Sequence, residues 1–339
     1  MKPGPLALSL GDPAGVGPEI IVKAWNELRR GGPPFMVVGD YQSLASASGG
    51  GASILQRVIA PVEALEAFPH ALPVLDLPLR SPVVAGQPSA TAAPSIIQWI
   101  ETAVGLALSG AVPGVVTAPI AKASLYAAGF KFPGHTEFLG ELTASERFDG
   151  ARGPVMMLTA GGLRVALVTV HTPLAKVSAA LNIEAIVNVG RVTADALRRD
   201  FGVKHPRLAV AGLNPHAGEG GSIGREEIDI VAPAVAALQD LGIEVSGPYP
   251  SDTLFPEAMR ATYDAAICLY HDQALIPVKM LDFWGGVNVT LGLPIVRTSP
   301  DHGTAFDIAG RGLARADSLI AAIRLADQIA ETRTDEPRG

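Results

Sequence analysis

The stretch AAICLYHDQALIPVKMLDF (265–283) combines a short apolar run with polar residues directly behind it. Residues 265–270 predict a strand, and the unbroken apolar run is typical of a parallel strand buried on both faces. His271 and Asp272 follow at its end, and Lys279 lies in the next apolar run. Ligands of open α/β sheets bind outside the carboxyl ends of the strands. The stretch therefore predicts a ligand site that brings a histidine, a carboxylate and a lysine together.

The remainder of the chain alternates strand and helix patterns. Strands are predicted at 6–11, 35–40, 114–120, 208–214 and within 287–300, and helices at 18–30, 93–110, 183–200, 225–241 and 317–331. Residues 155–171 contain two strand patterns separated by Gly161 and Gly162, which is the spacing of a tight hairpin. This alternation predicts parallel strands covered by helices.

The pieces suggest two α/β lobes. We expect residues 1–125 with 300–339 to form the first lobe, on the cofactor side. Residues 126–299 should form the second lobe, with the metal, substrate and dimer contacts. A length of 339 residues fits about two domains.

Composition narrows the class of protein. Hydrophobic residues make up 48% of the chain and charged residues only 17%, which is enough for a large core. The formal net charge of −7 argues against a nucleic-acid partner. Cys268 is the only cysteine, so neither a disulfide framework nor a thiolate zinc site is expected. No apolar run is long enough for a membrane span or a signal peptide, and we expect a cytoplasmic enzyme.

Three of the seven histidines follow apolar strand patterns. His171 follows RVALVTV, His216 follows RLAVAGLNP, and His271 follows AAICLY. A single histidine in such a place is more often a hydrogen-bonded polar group than a ligand. Three at equivalent strand ends favour a metal site, because neighbouring parallel strands bring their carboxyl ends together and imidazole is a common ligand of divalent metals. Asp272 is then either a partner of a ligand or a general base.

Basic and polar residues nearby suggest a place for a phosphate. Lys279 interrupts LIPVKML, Asn288 lies between valines, and Arg297 follows GLPIV. An arginine can bind a phosphate through two hydrogen bonds, so the three residues predict a phosphate cradle. The alternative for Lys279 is an exposed side chain in an irregular loop.

The segment FPGHTEFLGEL (132–142) predicts a loop that passes into a helix. His135 and Thr136 fall at the start of that helix, where free backbone N–H groups and the helix dipole favour an anion. An ordinary threonine N-cap, followed by the favourable charges of Glu137 and Glu141, explains the pattern equally well.

Two glycine-rich loops bear on a nucleotide cofactor. GDPAGVGPE (11–19) lies between a strand and a helix, but it lacks the Lys-Ser/Thr of a Walker motif. It also departs from GxGxxG, because Ile20 stands at the place of the last glycine. DHGTAFDIAGRG (301–312) is a second loop able to wrap a nucleotide.

Five motifs together resemble one family. GDPAGVGPE, TAPIAKASL with PGHTEFL, GLNPHAGEGGSIGREE, YHDQALIPVKML and TSPDHGTAFDIAG are similar to the 4-hydroxythreonine-4-phosphate dehydrogenase family of pyridoxal phosphate biosynthesis, in unbroken order from about residue 6 to 330. HGTAFDIAG also resembles the adenine-side NAD loop of isocitrate and isopropylmalate dehydrogenases. The resemblance implies their fold, a two-lobed three-layer α/β sandwich, with the active site in the interlobe cleft at a dimer interface. It also explains why GxGxxG is missing.

The resemblance assigns roles to matching positions. It implies His171, His216 and His271 as metal ligands, with the third supplied by the partner chain of an obligatory homodimer. The implied substrate contacts are His135, Thr136, Lys279, Asn288 and Arg297. The HGTAFDIAG loop gives His302, Gly303, Thr304 and Asp307 as cofactor contacts. For the proton acceptor we name Asp272 first and Asp252 second.

The implied reaction is oxidation of 4-phosphohydroxy-L-threonine at C3 by NAD or NADP, followed by loss of CO2. The metal would be zinc, magnesium or cobalt. A related dehydrogenase of another phosphorylated hydroxy acid (4-phospho-threonate or erythronate) or of a cyclic dihydrodiol shares the histidines, so these cannot discriminate. A metal-dependent phosphoester hydrolase is a third possibility and a non-catalytic binding protein a fourth.

Overall fold

The computed structural model describes residues 4–49, 52–132 and 134–335 and divides them into two units. The first unit takes in the described residues up to Glu146 and then Pro294–Thr334, and the second comprises Arg147–Leu293. No helix in these residues is both long and apolar enough to cross a membrane.

Six strands and seven helices build the described part of the first unit. The strands are β1 (Leu6–Ser9), β2 (Phe35–Gly39), β3 (Leu55–Arg57), β4 (Leu72–Asp76), β5 (Val115–Thr117) and β12 (Arg297–Pro300). The helices are α1 (Gly17–Leu28), α2 (Tyr41–Ala47), α3 (Pro61–Ala67), α4 (Ala93–Leu108), α5 (Lys122–Ala127), α6 (His135–Leu142) and α13 (Asp317–Asp335).

The sheet of the first unit has the order β3-β4-β2-β1-β5-β12, and these strands pair in parallel. Helix α4 packs against β1 and β2. Two fully buried tryptophans anchor helices to loops: the indole of Trp25 in α1 donates to the Phe68 carbonyl, and that of Trp99 in α4 donates to the Leu77 carbonyl, each at 2.9 Å. Because β1, β5 and β12 run parallel, their carboxyl ends lie at the same edge of this sheet.

The second unit also has six strands and six helices in its described part. The strands are β6 (Val155–Ala160), β7 (Leu163–Leu167), β8 (Arg207–Ala211), β9 (Glu244–Tyr249), β10 (Ala265–Cys268) and β11 (Val287–Leu291). The helices are α7 (Leu174–Ala180), α8 (Ile183–Phe201), α9 (Ala232–Asp240), α10 (Ser251–Leu254), α11 (Glu257–Arg260) and α12 (His271–Leu281), with a π-helical turn at Glu227–Val231 before α9.

The sheet of the second unit has the order β11-β6-β7-β10-β8-β9. Strand β6 pairs antiparallel with β11 and with β7, and β7, β10, β8 and β9 run parallel. Met156, Leu158 and Ala160 of β6 share a buried cluster with Ala274 and Val278 of α12. Because successive strand side chains point to opposite faces, the intervening residues face the other side, where α8 packs. The second unit thus has helices on both faces of its sheet.

Most predicted elements are confirmed. Gly161 and Gly162, with φ of 55° and 80°, form the two-residue turn of the β6–β7 hairpin, a conformation that glycine adopts without steric cost. Strand β10 carries Cys268 in the core, where burial raises the pKa of its thiol. The sequence did not predict β3, β4, β9 or α12, nor the short helices α2, α3, α5, α7, α10 and α11. The region 287–300 is two strands, because residues 292–296 interrupt it.

The units divide the chain at other places than the sequence suggested. Residues 126–146 and 294–299, which we expected in the second lobe, lie with the first unit. Two contacts explain the difference: α6 packs on α4, and β12 pairs in parallel with β5. The first holds residues 135–142 on a helix of the first unit, and the second joins residues far apart in sequence within its sheet.

Two glycines inside helices give a matched test of packing. Gly105 in α4 has open space where a Cβ would be, whereas a Cβ on Gly190 in α8 would lie 2.6 Å from a terminal methyl of the fully buried Leu238. Alanine in a helix is about 1 kcal/mol better than glycine, while overpacking a core costs about 1–3 kcal/mol. We expect Gly105→Ala to raise the free energy of unfolding by about 1 kcal/mol and Gly190→Ala to lower it.

Urea unfolding followed by circular dichroism would measure both changes. An equal gain in stability from the two substitutions would contradict the packing of α8 against α9.

Candidate active site

Three histidines follow three adjacent parallel strands of the second unit. Strand β10 pairs with β7 on one side and with β8 on the other. His171 follows β7, His271 follows β10, and His216 follows β8. The structure thus places all three beyond the carboxyl ends of neighbouring strands, as the sequence argument predicts.

His171 and His271 are neighbours within one chain. Their ring centroids are 5.8 Å apart, and both line a cavity of about 380 Å³ together with Tyr270 and Asp272. The Nδ1 atom of His271 is 2.7 Å from Oδ1 of Asp272. A carboxylate that holds one ring nitrogen in this way leaves the other, Nε2, to a ligand, which is the usual arrangement around metal-binding histidines.

His216 lies in a backbone conformation that is rare outside glycine. From His216 to Gly220 all five residues have positive φ, at 51°, 50°, 82°, 43° and 64°. A left-handed conformation costs an L-residue other than glycine about 1–2 kcal/mol. Three of the five are not glycine, so surrounding contacts must hold the turn.

These three histidines do not form a complete ligand set inside one chain. Among the described residues, no group of three histidine, cysteine, aspartate or glutamate side chains is gathered closely enough to hold a metal ion. Asp252, the second candidate base, lies exposed in the first turn of α10.

A buried glutamine that the sequence analysis overlooked ties two of the strand ends together. Oε1 of Gln273 accepts from the backbone N–H of Leu269, at 2.6 Å, and its Nε2 donates to the Gly212 carbonyl and to the Ser251 hydroxyl, both at 2.7 Å. Leu269 follows β10 and Gly212 follows β8. The position of Gln273 directly after His271 and Asp272 in YHDQ was the only signal available in the sequence.

The sequence suggested that Lys279 lies beside His271, but the structure places the two residues apart. Both belong to helix α12, which begins at His271, and Lys279 is in its last turn. Eight residues of helix separate the two Cα atoms by about 12 Å along the axis. The alternative of an irregular loop is also wrong, and the ammonium of Lys279 lies 5.2 Å from the ring centroid of Phe283.

Asn288 is the second residue of β11 and pairs with Leu158. Its side-chain oxygen Oδ1 is buried and has no hydrogen-bond partner in the described part of the chain. A buried polar atom of this kind is uncommon and marks a place where a ligand can supply the missing donor.

Arg297 begins strand β12 in the first unit and is only 2% exposed. Its Nη2 atom donates to the Thr117 hydroxyl of β5 at 2.7 Å. Burial lowers the pKa of the guanidinium to about 9, so it still carries a positive charge at neutral pH. A guanidinium can bind a phosphate through two parallel hydrogen bonds, so Arg297 is suited to an anionic ligand.

His135 and Thr136 occupy the first turn of α6. The N-cap is Gly134 without a side-chain cap, so the threonine N-cap that we weighed is wrong. Burial, followed by the charges of Arg297 and Lys122, lowers the pKa of His135 well below its ordinary value. Its Nε2 atom is buried and has no hydrogen-bond partner among the residues that the structure describes.

Three phenylalanines hold the start of α6 in place. Phe130, Phe132 and Phe138 form a cluster with ring centroids 5.0–5.4 Å apart. The cluster fixes the loop before α6 on the helix itself and so sets the position of His135.

Lys122 and Thr117 lie with Arg297 and His135, and the sequence analysis did not single them out. Burial lowers the pKa of Lys122, and the charge of Glu137 partly offsets this effect. Both residues lie in the stretch TAPIAKASL (117–125), which begins at the carboxyl end of β5, and this position was the signal available.

The glycine loops of the first unit come together around a cavity of about 560 Å³. The Val16 N–H donates to the Thr304 carbonyl at 2.9 Å, and a Cβ on Gly15 would meet that same carbonyl. The lining includes Pro13, Gly15, Asp40, Gly310 and Gly312. The predicted cofactor residues His302, Gly303, Thr304 and Asp307 lie in the adjoining loop but do not line this cavity.

Comparisons with known proteins agree over nearly the whole chain. The family model "Pyridoxal phosphate biosynthetic protein PdxA" matches residues 33–326. The 4-hydroxythreonine-4-phosphate dehydrogenase of Caulobacter vibrioides is 70% identical over 333 residues, which cover 98% of this chain and 99% of that protein.

Solved structures show the same relation. The 4-hydroxythreonine-4-phosphate dehydrogenase of Klebsiella pneumoniae superposes with a TM-score of 0.85 at 43% identity and covers 96% of this chain and 99% of its own. A terephthalate 1,2-cis-dihydrodiol dehydrogenase of Burkholderia xenovorans has a TM-score of 0.62 at 30% identity, with coverages of 96% and 98%. The predicted α/β fold is thereby confirmed.

His135 generates a pH prediction. Its pKa in the folded protein lies below the value near 6.5 expected in the unfolded chain. As the pH falls below about 6.5, the unfolded chain therefore takes up a proton that the folded protein refuses, and stability is lost. We expect the urea midpoint of the wild type to fall more steeply between pH 8 and pH 5 than that of His135→Gln.

His70→Gln, a change at an exposed histidine, is the matched control and should keep the wild-type slope. A slope unchanged in His135→Gln would show that His135 takes up its proton equally well in the folded state.

Proposed function

The chain belongs to the PdxA family of pyridoxal phosphate biosynthetic proteins, and we propose that it oxidises 4-phosphohydroxy-L-threonine with NAD or NADP. Oxidation at C3 gives a β-keto acid, and loss of CO2 then gives 3-amino-2-oxopropyl phosphate for pyridoxine 5'-phosphate synthesis. The observation that carries this proposal is the 70% identity to the Caulobacter vibrioides enzyme over 98% of this chain and 99% of that protein. The family resemblance drawn from the five motifs is confirmed.

The cationic cluster of the first unit supports a phosphorylated substrate. Arg297 is a buried cation whose Nη2 is fixed by Thr117, and His135 is kept neutral beside it. Backbone N–H groups at the start of α6, where Thr136 lies, add a partial positive charge. We assign the phosphate to this cluster, which would fix the substrate for reaction.

Two residues of the second unit complete the proposed substrate contacts. Lys279 supplies a second cation, and Asn288 supplies a buried amide oxygen that lacks a partner among the described residues. An amide oxygen accepts hydrogen bonds, so Asn288 suits the amino or hydroxyl group of the substrate better than its phosphate.

The donor set of the second unit fits a divalent metal such as zinc, cobalt or magnesium. His171, His216 and His271 lie beyond adjacent strand ends, and Asp272 already orients His271. Nitrogen ligands favour zinc or cobalt over magnesium. When bound, the metal supplies Lewis-acid stabilisation for negative charge on a substrate oxygen.

The two candidate bases differ in their surroundings. Asp272 is hydrogen-bonded to His271, which supports a role in orienting that ligand. Asp252 lies exposed at the start of α10, beside the strand ends that Gln273 and Ser251 connect. We keep both as proposed proton acceptors and give Asp272 the additional orienting role.

The cavity between the glycine loops is the proposed nicotinamide nucleotide site. It contains the start of α1 at one wall and Gly310 with Gly312 at another. Close backbone approach and a helix N-terminus suit a pyrophosphate. His302, Gly303, Thr304 and Asp307 remain proposed cofactor contacts from the adjoining loop.

A homodimer with shared sites is supported by an apolar surface on α12 and the loop behind it. Ile276, Met280, Phe283 and Trp284 are 59%, 82%, 60% and 50% exposed. An apolar patch of this kind marks an interaction surface. Its continuity with His271 on the same helix favours a second copy of this chain as the partner, with no nucleic acid or membrane involved.

Other reactions fit the residues less well. The dihydrodiol dehydrogenase relative shows that the fold serves unphosphorylated substrates, but the buried Arg297 beside His135 favours a phosphate. A phosphorylated threonate or erythronate remains the second candidate substrate. A phosphoester hydrolase would have no use for the HGTAFDIAG loop.

The first functional prediction concerns activity. We expect NADH or NADPH to form with 4-phosphohydroxy-L-threonine and to stop forming after chelation, and added Zn²⁺ or Co²⁺ should restore it. Absorbance at the reduced-nicotinamide band measures this, with 4-phospho-erythronate as the competing substrate. Phosphate release without reduced nucleotide would overturn the dehydrogenase proposal.

The second functional prediction concerns the sharing of sites. If His271 comes from the partner subunit, two inactive variants should complement each other when mixed and reassembled. In a mixed dimer of His216→Ala and His271→Ala, one site regains all three histidines, and random pairing should return roughly a quarter of wild-type activity. A mixture of His171→Ala and His271→Ala should regain activity to the same extent, whereas a mixture of His171→Ala and His216→Ala should remain inactive.

These pairings separate the possible arrangements. Activity in the mixture of His171→Ala and His216→Ala, without activity in that of His171→Ala and His271→Ala, would instead group His171 with His271. The 5.8 Å between their rings within one chain makes that outcome the alternative to test. No activity in any mixture would place all three ligands in one subunit.

A further inference from the structure

The turn that carries His216 cannot owe its shape to its own sequence preferences. Five successive residues adopt left-handed conformations, and His216, Ala217 and Glu219 among them are not glycine. Left-handed residues of this kind persist only where neighbouring structure over-determines them, and they concentrate at functional sites.

One buried carboxylate is hydrogen-bonded to the two residues that precede this turn. Oε1 of Glu227 accepts from the backbone N–H groups of Leu213 and Asn214, both at 2.7 Å. Its Oε2 accepts from the side-chain amide of Asn214 at 2.8 Å. Glu227 is only 3% exposed and begins the π-helical turn before α9. A carboxylate that accepts three hydrogen bonds fixes the chain immediately before Pro215 and His216.

The turn also closes around this carboxylate. A Cβ on Gly218 would lie 2.7 Å from Oε2 of Glu227, and one on Gly212 would lie 3.2 Å from Oε1. Glycine is thus the only residue type that fits at position 218, where the turn passes over Glu227. The φ of Gly218, 82°, also favours glycine. The backbone of the turn is packed against the carboxylate as well as hydrogen-bonded near it.

A second carboxylate extends the network toward α7. Oε2 of Glu226 accepts from the Asn214 amide at 2.8 Å, and Oε1 accepts from the Ser178 hydroxyl at 2.6 Å. These hydrogen bonds, Ser178 first and Asn214 next, lower the pKa of Glu226 to about 2. The Asn214 side chain is therefore shared by two carboxylates and has little freedom to turn.

We propose that Glu227 is a positioning residue, which holds the left-handed turn so that the His216 imidazole is presented as a metal ligand. The inference rests on the metal site of the proposed function. It assigns a task at the site to the segment GREE (224–227), although Glu227 follows His216 by eleven residues. Partners that orient metal ligands typically change affinity by about 10–100-fold when they are replaced.

The test compares Co²⁺ binding by the full-length wild type and two variants. Glu227→Gln has the same shape and keeps one acceptor, but its amide N–H₂ would face the N–H₂ of Asn214; Glu227→Ala removes all three hydrogen bonds. We expect both to bind Co²⁺ more weakly, by about 10–100-fold, and to alter its visible absorption band, which reports ligand geometry. Calorimetry and visible spectroscopy provide the two readouts, neither of which depends on turnover.

Two controls separate positioning from general loss of stability. Asp229→Asn removes another carboxylate two residues away, whose partner is the exposed Arg225. Tyr263→Phe removes a buried hydrogen bond to the Leu254 carbonyl. Asp229→Asn should leave stability and Co²⁺ affinity unchanged, and Tyr263→Phe should lower the urea midpoint without changing the affinity or the absorption band.

Each outcome decides something different. Wild-type affinity and spectrum in Glu227→Gln would overturn the positioning role while leaving the metal site intact. Equal losses of affinity in Tyr263→Phe and Glu227→Gln would also overturn it, since any destabilisation would then suffice. A wild type that binds no Co²⁺ would overturn the metal site itself, and the inference with it. If Glu227→Ala does not fold, the isosteric Glu227→Gln still decides.

Discussion

Strands β7, β10 and β8 are buried on both faces, and this constraint determines where their chemistry can lie. A polar side chain within such a strand would lose its hydrogen bonds to water and gain none in exchange. The polar residues therefore lie where the strands end. Because the three strands run parallel and pair with one another, those places are neighbours. His171, His271 and His216 therefore lie at one edge of the sheet because the strands that precede them are parallel and adjacent.

Ending a strand exposes backbone groups that the sheet no longer pairs, and the second unit satisfies them with side chains. Gln273 serves the ends of β10 and β8, and Glu227 serves the residues after β8. In the first unit Thr117, at the end of β5, holds the guanidinium of Arg297. In both units, side chains at or near the strand ends thus hold neighbouring groups in place.

Local patterns predicted much of this arrangement. The β6–β7 hairpin, helix α8 and the positions of the three histidines follow from glycine spacing, apolar periodicity and strand ends. Helix α12 was missed because Pro277 and a continuous apolar run obscure its period, and the error placed Lys279 beside His271. The lobe boundary was misplaced because the pairing of β12 with β5 joins residues far apart in sequence. Glu227 and Gln273 carry no motif of their own, since their importance lies in hydrogen bonds that only the folded chain shows.

The lone cysteine has a practical consequence. Cys268 is the last residue of β10 and is fully buried, and this burial raises the pKa of its thiol. Thiolate is the reactive form, so reagents that attack exposed thiols will pass this residue over while the protein is folded. Thiol-directed probes will therefore label an introduced exposed cysteine and leave Cys268 of the folded protein unlabelled. A cysteine placed at an exposed position would accept a spin label or fluorophore without prior mutation of the core, so substrate and nucleotide binding could be followed from that position.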